Sequence, residues 1–109
     1  MKFDCIGDTV IIRPSGELDH HYSAKIREMA DAIIGKGGIR KVIFDFSDIN
    51  FMDSSGIGVV MGRYRLMEAV GGKVCVFGAS KRIKDLINMS GLKRIITLCD
   101  SEKEALEVK

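Results

Sequence analysis

The residues best placed to do chemistry form one short block, Asn50-Phe51-Met52-Asp53-Ser54-Ser55-Gly56-Ile57-Gly58. Two hydroxyls and a carboxylate follow an apolar run and stand where a helical pattern begins. At the end of a strand in an α/β chain, this is where binding sites gather. Free backbone N–H groups and the positive end of the helix dipole make that position favourable for an anion. A single Asp or Ser would suffice as an N-cap, so Asp53, Ser54 and Ser55 together exceed what capping needs. Gly56, Gly58 and Gly62 follow closely. Glycine costs roughly 1 kcal/mol per helical position relative to alanine, so three of them require a reason. Gly58 and Gly62 are four apart and share a helix face. Spacing alone leaves two readings of that face open, close packing within the chain and close approach of a partner.

Other chemistries fit the residues poorly. A serine nucleophile elbow needs glycine two positions before Ser54, where the chain has Met52, and its two histidines, His20 and His21, precede the serine as neighbours. Adjacent histidines rarely chelate one ion. Asp45, Asp48 and Asp53 lack the spacing of a calcium loop, so no metal is expected. Asp45 ends an apolar strand, as the phosphorylated aspartate of a receiver domain does, but the first strands carry no acidic pair. Gly35-Lys36-Gly37-Gly38 and Gly71-Gly72-Lys73 lack the P-loop frame and read as turns. No cofactor is implied.

The elements that must position this block can be read from periodicity. Lys2–Ile6 and Thr9–Arg13 read as strands joined at Gly7-Asp8, with Pro14 and Gly16 ending the pair. Tyr22–Ile34 has helical spacing and stops at glycines. Lys41–Phe46 is a strand covered on both faces, Ser47–Asp53 a loop, and a second helix runs from about Ser55 to Val70. Lys73–Phe77 is a strand, Ser80 caps a third helix that Gly91 ends, and Arg94–Leu98 is the last strand. Ser101 and Glu104 form the capping box of a short final helix. The order is β-β-α-β-α-β-α-β-α: an α/β fold in one domain spanning residues 1–109, with a mixed, mostly parallel sheet, an N-terminal hairpin and about four helices.

Composition agrees with this. The 109 residues are 46% hydrophobic and 29% charged, enough for one core without staples. Seventeen basic against fifteen acidic residues leave a net charge of +2, which lacks the basic excess of a nucleic-acid binder. No apolar run approaches a membrane span, and the N-terminus MKFDCIGD lacks a signal peptide's apolar stretch, so a cytoplasmic setting is expected. Cys5, Cys75 and Cys99 are odd in number, widely spaced and beside apolar runs, and read as unpaired structural thiols.

Three blocks in register carry a family resemblance: Gly16-Glu17-Leu18-Asp19-His20-His21, then Phe51 to Tyr64, then Met89-Ser90-Gly91-Leu92. Together they resemble the STAS-domain anti-sigma factor antagonists, closest to the sporulation members, over nearly the whole chain. The resemblance implies a binding protein rather than an enzyme. Its partner would be an anti-sigma factor, in the sporulation branch anti-sigma F, that is itself a serine kinase; binding it would free a sigma factor for transcription. It implies phosphorylation of the serine directly after the aspartate, Ser54, release of the partner, and reactivation by a serine phosphatase. Physical reasoning alone does not choose between Ser54 and Ser55. The implied docking surface takes in Asp53, Ser54, Ser55 and the exposed side of the following helix with Gly58, Gly62 and Arg63. Glu17 and Asp19 join it if their loop lies at the same sheet edge; a helix cap and a solvated turn are the competing reading. Two alternatives stay open: a STAS-like module that binds a small ligand or nucleotide, and an antagonist serving a stress pathway.

Overall fold

A computed structural model describes residues 1–109. The central sheet has five strands in the order β1-β2-β4-β6-β7, formed by Lys2–Ile6, Thr9–Arg13, Lys41–Asp45, Lys73–Phe77 and Thr97–Cys99. β1 and β2 are antiparallel and every other pair is parallel, as a hairpin followed by helical crossovers requires. The helices are α1 (His20–Gly35), α2 (Ser54–Ala69), α3 (Lys81–Met89) and α4 (Glu102–Glu107).

The unbroken apolar strands have their explanation in two covers. Val10, Ile12, Val42, Phe44, Val74 and Val76 pack with Ile26 of α1, Val60 of α2 and Ile87 of α3 in the main core. Their neighbours Ile11, Ile43, Cys75 and Cys99 face the other way and meet Ala105 of α4. Successive side chains of a strand point to opposite faces, so a strand buried on both sides needs apolar residues at every position. Burial also pushes the Cys75 thiol up to about 11 and raises that of Cys99. Cys5, by contrast, is exposed on the edge strand, so only two of the three cysteines are core residues.

Two strands correct the sequence reading. Ser15–Leu18 (β3) and Asp48–Met52 (β5) form a separate parallel pair, where the sequence reading has the end of the hairpin and a loop. Pro14 and Gly16 break the pattern locally, and the register slips between Gly16 and Glu17, where Gly16 takes φ +85°. Neither strand has a strong signal of its own; each exists because the other is beside it. The last strand also moves: Leu92–Arg94 forms a 3-10 turn, and pairing begins only at Thr97. α1 begins at His20, two residues before its apolar stripe, and α2 at Ser54, because Asp19 and Asp53 are the caps. In the last box, Ser101 caps Glu104 N at 3.1 Å, but the Glu104 carboxylate accepts from Asp100 N instead of returning to Ser101.

The short α4 is held from both ends. Lys41 Nζ donates to the carbonyls of Ala105 and Leu106 at 3.0 and 2.9 Å. Arg13 reaches Glu102 at 2.6 Å while also pairing with Asp4 at 2.8 Å and Asp45 at 2.9 Å. The Arg13 hydrogen bond lowers the Asp4 pKa. Burial pushes Asp45 up, but hydrogen bonds from Ser47 and Arg13 outweigh it and leave it below its ordinary value. Carboxylates depressed in the folded state stabilise it above their unfolded pKa, and that stability goes as pH falls through the lower folded value. Denaturant midpoints measured against pH should therefore drop below about pH 4. Arg13→Met should lower the plateau at neutral pH and flatten that acid limb.

Candidate functional site

β3 and β5 lie side by side and point the same way, so they deliver their C-terminal ends to one edge of the molecule. Each then passes through one aspartate into a helix. Asp19 Oδ1 accepts from Tyr22 N at 2.9 Å, and Asp53 Oδ1 accepts from Ser55 N at 2.8 Å. Asp53 N is 3.5 Å from Leu18 O, which ties the two turns together. Two helix N-termini therefore open side by side. Glu17, Asp19, Asp53, Ser54 and Ser55 are gathered there although 34 positions separate the two aspartates. Asp19 and Asp53 are spoken for as caps, while Glu17 is exposed on the paired strand.

The two serines differ in setting. Ser54 is exposed as the first residue of α2; Ser55 is half-buried and lines a cleft of about 190 Å³ between α1 and α2. His20, Ser23 and Arg27 of α1 form the other wall, opposite Ser55, Gly58 and Val59. Neither serine hydroxyl is engaged by another group of the chain. The α1 wall was not anticipated as part of the site. Its spacing is an ordinary helical stripe, and only the packing of α1 on α2 brings it to Ser55.

The glycines separate into two kinds. A Cβ on Gly56 would sit 2.5 Å from Met52 Cγ and 3.2 Å from Leu18 Cδ2, so this glycine lets α2 settle onto β3 and β5. A Cβ on Gly58 or Gly62 would meet nothing within 4 Å. Close packing within the chain therefore does not account for those two.

Arg63 corrects the expected surface. Its side chain is only 5% exposed and turns inward between α2 and α1, with Nε 3.0 Å from Asp31 Oδ1. The alignment is off-line, so Nε and Nη1 have no hydrogen-bond partner. Burial lowers the Arg63 pKa, Asp31 opposes that, and Arg27 adds to it. The physical reason is position: Ser55, Val59 and Arg63 recur every fourth residue, which puts Arg63 on the α2 face that packs against α1. A buried pair of this quality stabilises little. Asp31 is 43% exposed as a side chain, but the Oδ1 that faces Arg63 is itself buried without a hydrogen-bond partner. Arg63→Met removes one unsatisfied group and leaves the other, so stability should change by no more than about 1 kcal/mol in either direction, with partner affinity unaltered. Lost binding by a folded Arg63→Met protein would return this residue to the docking surface. Asp45, the residue that evoked a receiver domain, is likewise engaged, by Arg13 at 2.9 Å and Ser47 N at 2.9 Å.

What this arrangement can do is present an unengaged hydroxyl beside a capped helix end and a glycine-smoothed helix face, a surface suited to binding and to modification. No helix is long and apolar enough to cross a membrane. Comparison with known proteins agrees with the geometry. The STAS domain model matches residues 1–105. An anti-sigma F factor antagonist of Paenibacillus polymyxa is 39% identical over 97 residues, covering 89% of this chain and 83% of that protein. An anti-sigma-B factor antagonist of Listeria monocytogenes is 31% identical over 97 residues, covering 89% and 84%. The solved structure of the anti-sigma factor antagonist SpoIIAA in its unphosphorylated form superimposes with a TM-score of 0.87 at 36% identity, covering 97% of this chain and 92% of that one. The phosphorylated form of the Bacillus SpoIIAA gives 0.78 at 36% identity, covering 97% and 96%. With the fold, the paired strand–cap–helix turns and these likenesses in agreement, the chain belongs to the STAS-domain family of anti-sigma factor antagonists.

Proposed function

We propose that the unphosphorylated chain binds an anti-sigma factor, itself a serine kinase, and so releases a sigma factor for sporulation transcription in the cytoplasm. Phosphorylation of Ser54 ends that binding, and a serine phosphatase restores it. Docking uses Glu17, the Asp19 and Asp53 turns, Ser54, Ser55, Gly58 and Gly62. The observation that carries this reading is the contrast between the serines: Ser54 is exposed with its hydroxyl unengaged, whereas Ser55 lies half-buried in the cleft. A kinase needs the first kind of serine. The likeness to a relative solved in phosphorylated and unphosphorylated forms supports it. The higher identity to the anti-sigma F antagonist favours sporulation, and the anti-sigma-B relative keeps a stress pathway as the second reading.

The test is mass spectrometry after incubation with the anti-sigma serine kinase and ATP. A single phosphate mapped to Ser54, and none on the Ser54→Ala protein, is the expected result. Phosphate on Ser55, or none at all on a folded protein, overturns it. Saturable nucleotide binding by the isolated chain would then bring the ligand-binding reading forward.

A further inference from the structure

A groove of about 360 Å³ runs between β5 and α3, away from the α1–α2 cleft. Asn50, Phe51 and Met52 form one wall, and Arg82, Leu86 and Met89 the other. Two of the exposed large apolar side chains of the chain converge on it: Phe51 is 45% and Met89 85% exposed. Solvent-facing apolar groups scattered singly need no explanation, but two that meet at one groove mark an interaction site. The charged residues that line it are Arg82 and Asp85, but the segment that carries them is basic overall. Residues 81–94 carry Lys81, Arg82, Lys84, Lys93 and Arg94 against Asp85 alone, a net of +4 in a chain whose total is +2. The single acid is already paired with Lys81 at 3.2 Å. Lys93 and Arg94 line the hollow on the far side of Met89, so the basic segment continues around it.

The groove is continuous with the modification site. Phe51 and Met52 are the last residues of β5, and Asp53 and Ser54 follow them directly. We propose that the β5–α3 groove is the second half of the docking surface and seats an apolar side chain carried on an acidic segment of the anti-sigma factor. This rests on the function proposed above and says what kind of surface the partner presents. The basic charge of residues 81–94 attracts the acidic segment, and Phe51 and Met89 supply the apolar contact. It also gives the phosphate on Ser54 its target. A group of roughly −1.5 to −2 charge placed at the end of β5 repels an acidic segment lying along that strand.

The experiment measures the dissociation constant of the full chain and the anti-sigma serine kinase at about 0.05 and about 0.5 M salt. Wild type, Met89→Ala, Arg82→Glu, Ser54→Asp and the control Met29→Ala are compared, with thermal melts to confirm folding. Met89 and Arg82 are exposed, so both variants should fold. Met89→Ala is expected to weaken binding about tenfold at either salt. Arg82→Glu should weaken it at low salt and flatten the salt dependence, and Met29→Ala on α1 should do neither. If Ser54→Asp binds weakly while Met89→Ala and Arg82→Glu bind like wild type, the groove inference falls and the partner-binding function stands. If the folded wild-type chain does not bind the kinase, that function falls and takes this inference with it. Sedimentation with phosphatidylglycerol vesicles that Arg82→Glu abolishes would assign the groove to a lipid surface. A Met89-dependent dimer would assign it to a second copy. Either result overturns the proposal.

Discussion

Phosphorylation of Ser54 should weaken partner binding more than a hundredfold while moving the melting temperature of the free chain by no more than a few degrees. The two halves of this expectation have different causes. Within the chain, the phosphate stands on an exposed first residue of α2. The helix dipole favours a negative group there by about 0.3–1 kcal/mol. The neighbouring Asp53 carboxylate opposes it by a similar amount, since two charges a few ångströms apart in water interact by about 1 kcal/mol. These nearly cancel, and no packed side chain has to move. At a closed interface water is excluded, so neither screening nor hydration compensates for the added charge and bulk. A loss of about 3 kcal/mol there already exceeds a hundredfold in affinity. Ser54→Asp, with one charge and less bulk, should show a smaller loss of about tenfold. Ser54→Ala should fold, bind and resist the kinase. Calorimetric titration against the partner, paired with thermal melts, reads both halves. A phosphorylated chain that binds as tightly as the unmodified one would sink the electrostatic switch.

Gly58→Ala should make the protein more stable and a poorer binder. Neither Gly58 nor Gly62 has an atom within 4 Å of where a Cβ would stand. The usual gain of up to about 1 kcal/mol on replacing a helical glycine with alanine is therefore available at both positions. Nothing in the fold itself requires the two glycines, and under the proposed function the bare face is what the partner meets. Added methyl groups would hold a partner off and cost about tenfold in affinity each. Gly56→Ala is the contrasting variant. Its Cβ would collide with Met52 Cγ at 2.5 Å and press on Leu18, so the overpacking cost of about 1–3 kcal/mol offsets or exceeds the helical gain. Urea midpoints for the three variants should rise for Gly58→Ala and Gly62→Ala but not for Gly56→Ala. Undiminished binding by a stabilised Gly58→Ala protein would show that this glycine has no part in docking.

Local signals were legible because their physics is local. The hairpin, the two-face strands at Val42–Phe44 and Val74–Val76, and the caps at Ser80 and Ser101 depend on bonds or burial patterns within a few residues. The Asp53-Ser54-Ser55 block stood out in the same way, as more polar groups than one helix end can use. Distant signals were not legible. β3 and β5 are weak as separate sequences and become strands only by pairing across more than 30 positions. Missing them hid the reason that Glu17 and Asp19 sit beside Ser54. The resemblance and the expected topology place Arg63 on the exposed side of the helix, yet its side chain is buried. Its inward turn follows from which face of α2 meets α1.

Sequence by itself determined the strands of the central sheet and the four helices, the family, and the block that carries the candidate chemistry, since all three are written in short-range pattern and residue type. Tertiary structure alone decided which serine is open, which glycines are bare, where Arg63 points and that an apolar groove beside a basic segment adjoins the strand leading to Ser54. Each of those is a property of surfaces made by segments far apart in the chain, and exposure is defined only once those segments have packed.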